Sequence, residues 1–98
     1  MISYNEFRLV LNNNLTSILS LLSKEFTSQQ FIDAIRALLP NEYARILNGN
    51  SYRSVNVWIS RWYLLDLSKK GVIVKRDHQR SIQTNNGNKS TNQVWKKI

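Results

Sequence analysis

The chain contains no cysteine, which excludes a disulfide framework and any zinc site built on thiolates, and is compatible with a reducing compartment. Glycine is scarce as well. Gly49, Gly71 and Gly87 stand far apart, so no glycine-rich loop exists to cradle a phosphate. Histidine occurs once, as His78, with Asp77 as the carboxylate beside it. A metal site needs three or four converging ligands and a Ser-His-Asp arrangement needs three groups, so the sequence predicts no enzyme, no metal and no cofactor. Long apolar runs are also missing. No stretch approaches about 18 uninterrupted apolar residues, and the opening "MISYNEFRLVLNNN" has no basic head. A cytoplasmic protein with neither an export signal nor a membrane span is expected.

Acidic residues are scarce in one half only. Residues 1–50 balance Arg8, Lys24, Arg36 and Arg45 against Glu6, Glu25, Asp33 and Glu42. Residues 51–98 set Arg53, Arg61, Lys69, Lys70, Lys75, Arg76, Arg80, Lys89, Lys96 and Lys97 against Asp66 and Asp77, so the whole net charge of +8 lies there. Excess positive charge confined to one half suggests a surface turned toward a polyanion, with nucleic acid the commonest such partner; the competing reading is a merely solvated basic face.

What is present is a foldable core. At 98 residues and 42% hydrophobic content, the chain is expected to form one domain, residues 1–98, because a chain of this size cannot divide its buried surface between two cores. A first helix is predicted at about residues 3–23: Ser3 and Glu6 have the spacing of a capping box, and Tyr4, Phe7, Leu11, Leu15, Ile18 and Leu22 share one face. Leu9 falls off that stripe, as an isolated exposed leucine or as part of a homodimer seam. Thr27 and Gln30 form a second capping box, flanked by Phe26 and Phe31 as a hydrophobic staple, which starts a helix at about 28–39 with Phe31, Ile32, Ile35, Leu38 and Leu39 inward. Pro40 ends it and suits the first turn of a short helix at about 41–48 that buries Tyr43, Ile46 and Leu47. Gly49 closes that helix; Ser51 or Ser54 caps the next, at about 52–70, which stops at Gly71.

After Gly71 the period changes. Val72, Ile73 and Val74 read as a strand and "QVWKKI" as its partner, with Asn86-Gly87 as the hairpin turn, so a β-hairpin spans about 72–98. Between these strands Ile82 is the large apolar side chain. A disordered loop is the alternative for this polar segment. Lys96 and Lys97 are read as charges that blunt a sheet edge.

The order of helices, glycine, strand, basic loop and closing strand resembles the winged helix-turn-helix family of small DNA-binding proteins and transcription regulators. "ISRWYLLDLSKKGVIVKR" is similar to that family's recognition helix running into its first wing strand. Leu67 stands four positions before the glycine, and Lys75-Arg76 matches the basic pair after the strand. The helix at about 52–70 is richer in tryptophan, and the wing longer, than the pattern. The resemblance implies an α+β, mainly helical fold, a winged helix-turn-helix with three to four N-terminal helices followed by a C-terminal β-hairpin wing. It also implies binding of double-stranded DNA and a role in transcription regulation.

On a helical wheel at about 100° per residue, Val55, Trp58, Ile59, Trp62 and Leu65 share the arc expected to face the core. Asp66 lies within that arc, in a last turn where negative charge opposes the helix dipole, and is expected to reach solvent or an arginine. Trp58 and Trp62 are read as core, their alternative being a stacking platform for single strands. The opposite arc carries Arg53, Asn56, Val57 and Ser60, then Leu64 and Leu67. In the family this division places polar groups in the major groove and apolar ones under the wing. Arg53, Asn56 and Val57 are then the base-contacting candidates, and Ser54, Ser60 and Arg61 suit phosphates beside the groove. Lys75, Arg76, Arg80 and Lys89 of the wing would approach the backbone or minor groove. Two alternatives remain: an adaptor presenting Leu9, Val57 and Ile82 to a protein partner, and a binder of RNA or single strands.

Overall fold

The computed structural model describes the backbone of residues 2–83 and 89–98 and the side chains of residues 2–76 and 93–98. Among the described residues six α-helices, the last two joined by a π-helical turn, pack on a three-stranded antiparallel sheet. They are α1 (Tyr4–Asn13), α2 (Leu15–Ser20), α3 (Ser28–Leu38), α4 (Pro40–Leu47), α5 (Tyr52–Trp58) and α6 (Leu64–Lys69). The strands are β1 (Glu25–Thr27), β2 (Ile73–Gln83) and β3 (Lys89–Lys97), in the order β1-β3-β2. The architecture is α+β.

Both capping boxes form. Ser3 Oγ accepts from the Glu6 amide at 3.1 Å, and Thr27 Oγ1 accepts from the Gln30 amide at 3.1 Å while the Gln30 side chain accepts from the Thr27 amide at 2.8 Å. The staple is a ring contact, Phe26 against Phe31 with centroids 5.9 Å apart. The long first helix expected over 3–23 is instead two. Asn14, at φ −114° and ψ 10°, leaves helical geometry. Its side-chain amide donates to the Val10 carbonyl at 2.8 Å, a local bond that competes with the helix ladder. The apolar stripe survives the break, because Phe7, Leu11 and Ile18 are fully buried and Leu9 is 62% exposed. In α3, Leu38 faces solvent more than expected, at 37% exposed, while its neighbour Leu39 is buried.

Strand β1 was not legible in the sequence. Its three residues are too few for an alternating pattern, and it exists by pairing, with Phe26 opposite Trp95 and Thr27 opposite Val94. That pairing puts β3 in the middle of the sheet. Lys96 and Lys97 therefore do not blunt an edge. Lys97 instead donates from Nζ to the Leu22 carbonyl at 2.7 Å and the Leu19 carbonyl at 3.1 Å, satisfying groups at the end of α2. Trp95, 2% exposed, anchors the sheet on α3, and its indole N–H donates to Ser28 Oγ at 2.9 Å.

The hairpin is antiparallel, from Ile73 opposite Lys97 to Gln83 opposite Lys89, with an irregularity between Lys75 and Gln79. Such a bulge leaves backbone groups without a ladder partner. The Gln93 side-chain amide answers one of them by donating to the Arg76 carbonyl. The expected Asn86-Gly87 turn, and the side chains of His78 and Ile82, lie outside the described residues.

The largest departure is in the fourth predicted helix. Between α5 and α6 the backbone takes a π-helical turn over Ile59–Tyr63. Val55, Ile59, Tyr63 and Leu67, each four residues apart, are all buried. In an α-helix every four-residue step overshoots one turn by about 40°, so such a series would spiral off the core; a wider turn absorbs the drift. The cost falls on Trp62. Expected at the centre of the buried arc, it is 68% exposed, and Tyr63 and Leu64 occupy the core instead at 2% and 0%.

Below the π turn, α6 ends as the glycine predicts. Gly71 has φ +78°, its amide donates to the Ser68 carbonyl at 3.1 Å, and the Val72 amide donates to the Leu67 carbonyl at 2.9 Å. These two bonds are a Schellman cap with Leu67 at its C3 position. No helix among the described residues is long and apolar enough to cross a membrane.

Candidate functional site

The turn from α4 into α5 sets up the site. Gly49, at φ +96°, reverses the chain, and the Asn50 side chain donates to the Ile46 carbonyl at 2.8 Å, closing α4. Ser51, not Ser54, is the cap of α5: its Oγ accepts from the Ser54 amide at 3.1 Å and donates to Ser54 Oγ at 3.0 Å. Arg53 and Ser54 are thereby held on the exposed first turn.

The remaining candidates on α5 and the π turn differ in availability. Asn56 is half-buried, and its Oδ1 accepts from the Tyr43 hydroxyl at 2.7 Å. Burial, partly opposed by Arg36, raises the Tyr43 phenol above its ordinary range, so the hydroxyl stays protonated and remains a donor. One face of the Asn56 amide is therefore committed to α4. Ser60 is half-buried and donates to the Asn56 carbonyl at 2.7 Å. Val57 is half-buried and Arg61 exposed. Among the described residues, neither Arg53 nor Arg61 has a carboxylate within ion-pair distance.

On the hairpin, Lys75 is exposed. Arg76 is not an open cation: its Nε lies 3.1 Å from Glu25, tying β2 to β1. Arg80 lies opposite Asn92 in β2 and Lys89 opposite Gln83 in β3, and their side chains are outside the described residues.

Two residues that sequence reasoning passed over join the exposed end of α5. Tyr52 is 59% exposed, with its ring 6.3 Å from that of Tyr43. The Arg36 guanidinium, from α3, sits 5.7 Å from the Tyr43 ring centre, a cation–π distance. Tyr52 had a signal, since it precedes Arg53 in the first turn; Arg36 had none, being brought in by the packing of α3 on α4.

Trp58 and Trp62 do not form a paired platform. Trp58 is embedded among Tyr4, Phe7 and Tyr63 at centroid distances of 5.1, 5.9 and 5.8 Å, whereas Trp62 stands out on the surface. Asp66 meets a lysine and not an arginine, with Lys70 Nζ at 3.0 Å.

The site is thus an exposed helix start that carries the donors Tyr52, Arg53 and Ser54, with Arg61 exposed on the π turn beyond it, above a last part whose Leu64 and Leu67 are buried. Exposed arginines without carboxylate partners suit an anionic ligand, and the aromatic beside them suits a ligand with flat or apolar edges. No family model, curated protein or solved structure matches the chain.

Proposed function

We propose that this protein is a winged-helix domain that binds double-stranded DNA, with α5 in the major groove and the β2-β3 hairpin along the backbone, and that it acts as a cytoplasmic transcription regulator. The order of elements and the β1-β3-β2 sheet support the fold. The observation that carries the function is the division of the α5–α6 helix. Its first turn exposes Arg53 and its π turn exposes Arg61, neither with a carboxylate within ion-pair distance among the described residues, and its last part turns Leu64 and Leu67 into the core against the start of the hairpin. Arginine is the side chain best fitted to bridge guanine O6 and N7 or to hold a phosphate bidentately.

The test is duplex binding as a function of salt. With about four to six phosphate contacts, the log–log slope of affinity against salt is expected to be about −4 to −5. Charge reversal of Arg53 together with Arg61 should abolish duplex binding while the circular-dichroism spectrum is kept. Absence of duplex binding even at low salt would end this reading.

A further inference from the structure

The exposed indole of Trp62 belongs to none of the contacts proposed for DNA. It lines a shallow groove of about 190 Å³ together with Arg8 of α1, Trp58, Tyr63 and Asp66. We infer that this groove is a self-complementary surface through which two copies of the chain pair about a two-fold axis, Trp62 against Trp62 and Arg8 of each copy against Asp66 of the other.

Two observations point to a second copy. The first is the exposure itself. The π-helical turn rotates outward the residue that helical periodicity would bury, leaving Trp62 68% exposed while Trp95 is 2% exposed. Tryptophan is the residue type most concentrated in the energetic centres of interfaces, and π turns inside helices occur frequently at functional positions.

The second is the sign of the charges. The groove presents one cation and one anion on opposite elements. Arg8 donates to Asn5 at 2.7 Å and, among the described residues, has no carboxylate within ion-pair distance. Asp66 keeps Lys70 at 3.0 Å but is 42% exposed. A phosphate drawn to Arg8 would also face the Asp66 carboxylate, so the groove is a poor seat for a polyanion. A patch with one charge of each sign matches itself under two-fold rotation, because an isologous contact forms every pair twice.

The inference stands independently of DNA binding.

Sedimentation equilibrium of the full chain without nucleic acid tests it. The expected result is a reversible dimer at micromolar concentration. Trp62→Ser should weaken it by at least about tenfold, as loss of a central interface tryptophan does. Arg8→Glu or Asp66→Arg alone should weaken it similarly, each leaving like charges opposed. The combined Arg8→Glu and Asp66→Arg chain should recover the dimer, since the swapped charges again meet their opposites. All three positions face solvent at least in part, and an unchanged circular-dichroism spectrum is required of each variant. A monomer at every concentration, a dimer indifferent to Trp62→Ser, or a double swap no better than the single variants would overturn the inference. So would a monomer whose tryptophan emission responds only to single-stranded oligonucleotide.

Discussion

The hydroxyl of Tyr63 donates to Asn12 Oδ1 at 2.8 Å, across 51 positions of sequence. This bond fastens the π turn to α1 and holds the Tyr63 ring where an ideal α-helix would have carried Trp62 inward.

Replacing Tyr63 with Phe keeps the ring and removes the donor. Asn12 is exposed, so its amide turns to water, and the expected loss is about 1 kcal/mol of unfolding free energy. Urea denaturation measures it. A double-mutant cycle with Asn12→Ala should show that the two losses are not additive, since they remove the same bond.

A larger loss is expected at the sheet. Ser28→Ala strands the Trp95 indole N–H in a site where both residues are buried. An unpaired buried donor costs about 1–3 kcal/mol. The denaturation midpoint should fall without a change in slope, and a loss below that of Tyr63→Phe would contradict the bond's place in the core.

The hairpin cations should separate in a DNA-binding assay. Lys75→Ala removes an exposed charge and should flatten the salt slope by about one. Arg76→Ala removes a charge already matched by Glu25. Its effect on the slope should be smaller, with a stability change of about 0–1 kcal/mol because the pair is partly exposed. Equal effects of the two substitutions would show that Arg76 leaves Glu25 to meet DNA.

Stability should be lost at alkaline pH through two phenols. Burial, reinforced by Asp66 and opposed by Arg8, pushes Tyr63 well above its ordinary value of 10.0, and burial likewise raises Tyr43. Both stay protonated in the fold at a pH where the unfolded chain ionises, so the unfolded state holds fewer protons and stability falls as pH rises past about 10. Below that value these groups add no pH dependence. Thermal melts across the alkaline range should show the decline, and Tyr63→Phe should make it shallower.

Much of the helical framework was legible from neighbours in the chain. Ser3 with Glu6, Thr27 with Gln30, Pro40, and Gly71 with Leu67 act over one to five positions. Their geometry follows from local sterics and hydrogen bonding whatever the rest of the molecule does. The placement of α3 and α4 followed from these signals, that of the hairpin strands from the β-branched run at 72–74 and the closing "QVWKKI", and the charge asymmetry needed nothing beyond the order of residues. Of the candidate site, Arg53, Ser54 and Arg61 are exposed as the wheel placed them.

Choices among similar side chains were left to tertiary structure. Residues 55–67 form a belt in which either Trp62 or Tyr63 with Leu64 could face inward. That contest was decided by Asn12, 51 positions from its partner, and by the rings of Tyr4 and Phe7 around Trp58. Strand β1 exists because β3 pairs with it, and Arg76 is tied down because that pairing brings Glu25 within 3.1 Å. A cap needs partners a few bonds away, so sequence order contains it. A packed belt or a paired strand draws its free energy from contacts with distant segments, and only the folded chain selects among them.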